Sequence, residues 1–302
     1  MRAWLLLPSV AAALTLVVPA AEPAARPPRF LLALAAGGSA ALYESADGIR
    51  FAAAPGYAPG PATSPALVRR GSTVYLYDAP QLTADGLQGS VRRFSISASG
   101  LLTEQLAAAY RIQLAAPGDA ARASAGSFAP AVAVDDAGAI VILYAVRLEP
   151  ETNACPVAGQ ACVKLRTATE VTGSDGLDFT GDAGNRIVLS FPAADAIEAP
   201  SLFRSQKGWS ALARGPDGCL HLLTAADPHR AYRNGGCISD SGPETPSAVW
   251  DARLREYRLY GVVDGKVVRA VAGRLSNVAS SRFRPLAIPA QPSGVRVVPN
   301  AP

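Results

Sequence analysis

Glu198-Ala199-Pro200 and Glu244-Thr245-Pro246 each set a glutamate two residues ahead of a proline. Two carboxyls brought into one cavity can do acid–base work, provided burial or mutual repulsion raises one pKa and leaves the other ionised. Glu198 and Glu244 are therefore the candidate catalytic pair. A second set of polar and aromatic residues falls in Asp227-Pro228-His229-Arg230-Ala231-Tyr232, a loop bounded by Cys219 and Cys237. Loops held by rigid scaffolds commonly bind ligands, so Asp227, His229 and Tyr232 are read as ligand contacts. Trp250, beside a hairpin, is read as a stacking platform. The structural alternatives are glutamates paired with surface arginines, a solvated loop histidine and a tryptophan in the core. No phosphate loop, H-E-x-x-H, G-x-S-x-G or Ser/His/Asp spacing occurs, so redox and nucleotide chemistry have no support.

The elements that must position these residues form a repeat. A small residue, a proline and a short apolar run begin at Ser64-Pro65, Ala129-Pro130, Ala199-Pro200 and Thr245-Pro246. Each run passes through a polar turn into an alternating strand containing Tyr or Trp, as in Thr73-Val74-Tyr75-Leu76-Tyr77 and Glu256-Tyr257-Arg258-Leu259-Tyr260. Each copy reads as a β-hairpin with proline at the strand start, where a missing N–H is tolerated. A second element, Ser45-Ala46-Asp47-Gly48-Ile49-Arg50-Phe51 and Ser174-Asp175-Gly176-Leu177-Asp178-Phe179, supplies Asp-Gly turns, to which Asp47 and Asp175 belong structurally. Hairpin plus second hairpin makes a four-stranded antiparallel unit, which suits a propeller blade. The expected fold is all-β, a five-bladed β-propeller. Four blades come from the repeat. The fifth forms when the strands of Arg29–Phe51 pair with the isolated C-terminal strand Ser293–Val298. A β-sandwich is the competing architecture, and Leu102–Arg111 fits either a short helix or another strand.

The pattern of x-Pro-x-Val, an aromatic hairpin and Ser-x-Asp-Gly-x-x-Phe resembles the five-bladed β-propeller glycosidases: arabinanases, β-xylosidases, invertases and levansucrases. In that clan the inner strands begin at a central funnel where the sugar binds, and a Glu-Gly-Pro or Glu-Ala-Pro carries the acid. The resemblance implies that role for Glu198. The clan's Asp-Pro base has no counterpart, because Ser64, Ala129 and Thr245 open the other hairpins and the one Asp-Pro is Asp227-Pro228. Hydrolysis needs a proton-donating carboxyl and an ionised one about 5–5.5 Å apart for retention or about 6.5–9.5 Å for inversion. The function implied is a glycan-binding propeller, with residual or absent glycoside hydrolysis. The alternative is a propeller scaffold for extracellular protein–protein contact.

Composition narrows the field further. The chain has 302 residues, 49% hydrophobic, with net charge +4, which excludes disorder as the main state. Glycine (27) and proline (25) together suit a chain full of turns. Among 28 basic residues only Lys164, Lys207 and Lys266 are lysines, and no basic run exceeds a pair such as Arg69-Arg70. A nucleic-acid binder would concentrate them on one face, so no nucleic-acid partner is expected. Arg2 followed by the apolar stretch Trp4–Val18 reads as a signal peptide, residues 1–20, with a short leader over 21–28 and one propeller domain over 29–302. An uncleaved anchor is the other reading of that segment. After cleavage no membrane span remains, and the expected state is a secreted or periplasmic monomer. Four cysteines in an exported chain favour two disulfides. Of three pairings, Cys155–Cys162 and Cys219–Cys237 are preferred, each being close in sequence around a turn-rich loop. With no C-x-x-C pattern, no metal ligand set is expected. No cofactor is implied, and a structural calcium is left open.

Overall fold

The computed structural model describes residues 30–115, 130–148, 155, 157, 161–191, 198–215, 218–240, 242–280, 283–288 and 294–299. The expected signal and leader lie outside them. The described residues are all-β apart from a 3-10 segment, Leu275–Ser280.

The strands fall into five groups along the chain. The first is β1 (Phe30–Ala36), β2 (Ser39–Ser45), β3 (Ala52–Ala53) and the small β4 (Gly60–Pro61). The second is β5 (Ala66–Arg70), β6 (Thr73–Tyr77), β7 (Gln81–Thr83), β8 (Gly86–Ile96) and β9 (Leu102–Gln113). The third is β10 (Ala131–Val134), β11 (Ile140–Leu148), β12 (Ala161–Glu170), β13 (Asp178–Gly181) and β14 (Ile187–Phe191). The fourth is β15 (Glu198–Ser205), β16 (Gly208–Arg214), β17 (Leu220–Ala225) and β18 (Arg233–Ser239). The fifth is β19 (Glu244–Asp251), β20 (Glu256–Val263), β21 (Lys266–Ala272) and β22 (Arg284–Pro285). The last strand, β23 (Gly294–Pro299), returns to the first group and pairs antiparallel with β1, from Phe30↔Pro299 to Ala35↔Gly294.

Pairing within the fourth and fifth groups is the simple order β15-β16-β17-β18 and β19-β20-β21-β22. The second and third groups are joined into one ten-stranded sheet, because β13 lies parallel to β9 over Asp178–Thr180. That contact was not expected from the repeat. It covers two strand edges that would otherwise offer unpaired N–H and C=O groups. Leu102–Arg111, readable as helix or strand, is strand β9, paired with β8 from Leu102 to Ile112.

The core sits between groups. Leu31, Leu42, Leu67 and Phe94 join the first and second groups, and Tyr75, Tyr77, Ile140 and Ile142 join the second and third. Leu143, Leu165, Trp209 and Leu223 join the third and fourth, and Leu212, Leu220, Leu259 and Ala270 the fourth and fifth. Phe30, Leu32, Tyr260 and Val297 return from the fifth to the first. A sandwich would place its core in one layer between two sheets. The strands that lead each group are neighbours in space in the order β5, β10, β15, β19, β23, and β23 also contacts β5.

The Asp-Gly turns clasp one group to the preceding one. In the first group, Asp47 Oδ1 accepts the N–H groups of Ile49 (2.8 Å) and Arg50 (2.9 Å), which shapes the turn. Tyr260 Oη, from the fifth group, donates to the Gly48 carbonyl at 2.9 Å, and Arg258 donates to the Asp47 carbonyl. In the third group, Gly176 offers its carbonyl to Tyr77 Oη of the second at 3.0 Å, while Asp175 binds Tyr75 Oη at 2.7 Å and pairs with Arg70 and Arg93. Glu170, nearly buried, accepts the Gly176 N–H at 2.6 Å and the Ile140 N–H at 3.0 Å and pairs with Arg70.

Candidate functional site

Glu198 and Glu244 open β15 and β19 and occupy equivalent places there. Each pairs across its hairpin, Glu198↔Arg214 and Glu244↔Val262, and in each strand the register slips until pairing resumes at Ser201 or Ser247. The bulge explains how proline sits inside these strands, since it removes the need for a ladder N–H. In the second copy the strain is visible: Thr245 has φ +46°. Glu244 is exposed, and the Glu198 side chain lies outside the described residues.

Between them the structure places a residue the repeat did not single out. Arg296, on β23, is 6% exposed. Its guanidinium donates to the carbonyls of Val295 (2.8 Å), Thr245 (3.2 Å) and Pro200 (3.4 Å). It thus spans β23, β19 and β15 at the end where those strands begin. Burial lowers its pKa to about 10. In sequence it is one arginine in an alternating strand, and nothing there marks it as interior.

The other predicted contacts lie at the opposite end of the leading strands. Trp250 is the seventh residue of β19, about 20 Å from Glu244 at about 3.3 Å per residue. It is half-buried and tilts against Tyr257, with ring centroids 4.6 Å apart. Tyr232 is 6% exposed and belongs to the core between the third and fourth groups, its hydroxyl donating to the Pro228 carbonyl at 3.4 Å. Burial pushes its pKa up. Asp227 is exposed and accepts the His229 N–H at 2.7 Å.

His229 lies between two aspartates of the third group. Its Nδ1 is 2.8 Å from Asp182 Oδ2 and its Nε2 is 3.2 Å from Asp135 Oδ2. Thr167 and Thr169 donate to the two Asp182 oxygens at 2.7 and 2.8 Å. The loop carrying His229 joins the third and fourth strands of its group, as the Asp-Gly turns do in theirs. His229 therefore clasps the fourth group to the third. Its partners stand 47 and 94 residues away, so no local motif shows them.

Burial alone would lower the His229 pKa, but the hydrogen bonds to Asp182 and Asp135 override it and hold it above the ordinary histidine value. Burial alone would raise Asp182, but His229, Thr167 and Thr169 hold it below the ordinary carboxylate range. The histidine's contribution to stability is complete below its unfolded pKa of about 6.5 and is lost as pH rises through the raised folded value. The aspartate's contribution is present above about 3.9 and is lost as pH falls through its depressed folded value. His229→Gln should cost about 1–2 kcal/mol at pH 6, the scale of a charge-assisted hydrogen bond, and clearly less at pH 9. Urea unfolding at the two pH values measures this, and a gap that does not change with pH refutes the charged clasp.

Both preferred disulfides are formed, Cys155–Cys162 and Cys219–Cys237. Among the described residues no helix is long and apolar enough to cross a membrane, and no group of His, Cys, Asp and Glu is arranged to hold a metal.

No protein family and no curated protein matches the chain. Among solved structures the chain is similar to glycoside hydrolase propellers. One is the Bacillus subtilis arabinanase, at 13% identity and TM-score 0.47 over 78% of this chain and 80% of that one. Another is the Lactobacillus brevis α-L-arabinofuranosidase, at 14% identity and TM-score 0.47 over 74% and 72%. The Trypanosoma rangeli sialidase is similar at 10% identity and TM-score 0.47 over 88% of this chain, which spans 49% of the sialidase.

Proposed function

We propose that this chain is an exported, single-domain, five-bladed β-propeller that binds a glycan at the end of its channel where the leading strands begin, without hydrolysing it. The cycle of leading strands, the five interleaved cores and the β1–β23 pairing support the five-bladed reading. The two disulfides support an oxidising compartment, secreted or periplasmic.

The observation that carries the binding reading is Arg296 beside the two glutamate-led strand starts. Its guanidinium bonds the carbonyl of Pro200, two residues after Glu198, and that of Thr245, directly after Glu244. Hydrolysis needs two carboxyls facing each other across one cavity, and Glu244 is exposed. An exposed glutamate at the strand starts, with the backbone around it held by Arg296, suits hydrogen bonding to sugar hydroxyls instead.

The test is affinity electrophoresis through gels holding soluble arabinan, arabinoxylan or levan. Wild type should be retarded by at least one of them, and Glu244→Ala should weaken that retardation about tenfold, equivalent to one charged hydrogen bond. Wild type and Glu198→Gln should release equally little nitrophenol from aryl glycosides. Free migration in all three gels would remove the glycan reading. Turnover by wild type that Glu198→Gln abolishes would replace it with catalysis.

A further inference from the structure

The far end of the leading strands holds a cavity that the glycan reading does not use. Its volume is about 330 Å³ and all five leading strands line it. Val132, Leu202, Val249 and Val297 make the aliphatic wall, and Trp209 and Trp250 add aromatic surface. Pockets of this size and lining bind small molecules, with a few polar groups setting orientation. The charged groups here are two guanidiniums, Arg69 of β5, whose Nε donates to the Gly71 carbonyl at 2.7 Å, and Arg204 of β15. Each follows an apolar residue of its strand, Val68 and Phe203, so the cations stand at the strand ends and the apolar wall lies deeper.

The walls argue against a sugar. Aliphatic side chains leave hydroxyls without partners, and each such buried group costs free energy. The guanidiniums argue for an anion, and arginine favours the two-oxygen geometry of a carboxylate. Arg204 is held over the Trp209 ring at 5.6 Å. Its acidic neighbour is Asp136, at 3.0 Å, with the two side chains 52% and 71% exposed. So exposed a pair is worth little, and a ligand carboxylate can replace it at small cost.

The geometry points to this cavity as a binding site for a medium-chain monocarboxylate, its apolar tail inside the channel and its carboxylate between Arg69 and Arg204. The site is independent of the glycan reading, because it lies at the other end of the leading strands from Glu198 and Glu244. Failure of the gels above leaves it standing.

The chain carries its own probe. Of its three tryptophans, Trp4 lies in the expected signal segment, while Trp209 and Trp250 both line the cavity. In a Trp4→Phe chain all tryptophan emission comes from this site. Titration with decanoate below its micelle concentration should give a saturable shift in emission. Decanol should bind at least tenfold more weakly. Arg204→Met and Arg69→Met should each weaken decanoate at least fivefold and leave decanol unchanged. No saturable change with decanoate overturns the proposal. So does equal affinity for decanol, or undiminished decanoate binding when both arginines are replaced.

Discussion

Gly176→Ala should lower the free energy of unfolding by about 3 kcal/mol, and Gly48→Ala by a similar amount. Gly176 has φ +80°, a conformation that costs an L-residue roughly 1–2 kcal/mol. A Cβ there would lie 2.6 Å from Tyr77 Oη and 2.9 Å from the Tyr75 ring. Neither tyrosine can move aside cheaply. Tyr77 is fully buried, set edge-on to Tyr110 at 5.0 Å and to Phe179 at 6.0 Å. Overpacking of this kind adds about 1–3 kcal/mol. At Gly48 (φ +66°) a Cβ would lie 2.7 Å from Tyr260 Oη and 3.2 Å from the Phe30 ring. Gly37 separates the two causes, since it has φ +58° with nothing within 4 Å of an added Cβ. Gly37→Ala should lose only the backbone share, about 1 kcal/mol. Guanidinium unfolding of the three variants decides the matter. If Gly176→Ala unfolds like Gly37→Ala, the clasp does not hold the groups together.

The clasps show what was legible and what was not. The proline-led hairpins could be read because proline forces a choice. It must sit where a strand begins or bulges, and Pro65 and Pro130 stand just before β5 and β10 while Pro200 and Pro246 occupy bulges. The Asp-Gly turns could be read as turns from their chemistry. Their partners could not, because Tyr77 and Tyr260 lie 99 and 212 residues away. Leu102–Arg111 was ambiguous for a different reason. Its alanines favour helix, and most of its residues are exposed, so it lacks the clean alternation of a half-buried strand. Its pairing with β8 decides the matter.

The candidate site was legible in its residue types and not in its arrangement. Glu198 and Glu244 share a strand position, as their spacing from proline implied. Asp227, His229 and Tyr232 read as ligand contacts because they share one stapled loop, and Trp250 because it stands beside a hairpin. The strand geometry separates them, since the two glutamates begin leading strands whereas Trp250 lies near the far end of one and His229 contacts Asp135 just after the end of another. Arg296 shows the converse. On a half-exposed strand an arginine between two valines points outward. On β23, among the leading strands, that face meets neighbouring strands and the side chain is buried with its hydrogen bonds made to backbone carbonyls.

Removing the Cys219–Cys237 bond should cost about 3 kcal/mol and act locally before it acts globally. The bridge closes a separation of 18 residues, for which the chain-entropy relation gives roughly that figure, against about 2.4 kcal/mol for the 7-residue separation of Cys155–Cys162. It fastens the start of β17 to the outermost strand of its group, where Cys237 pairs with His221 and the ladder is irregular on both sides. The loop between these strands carries His229. With the bridge gone, β18 has few buried side chains to hold it, Ile238 being its one fully buried residue. Its amides should exchange first, and His229 should drift from Asp182 and Asp135, so that its pKa falls back toward the ordinary histidine value. Hydrogen exchange on Cys219→Ser/Cys237→Ser should therefore show β18 and residues 226–232 opening while β15 and β16 stay protected, with a His229 titration moved down in pH. Loss of protection spread evenly over all four strands would mean the bridge stabilises the unfolded-state balance alone and does not hold the clasp in place.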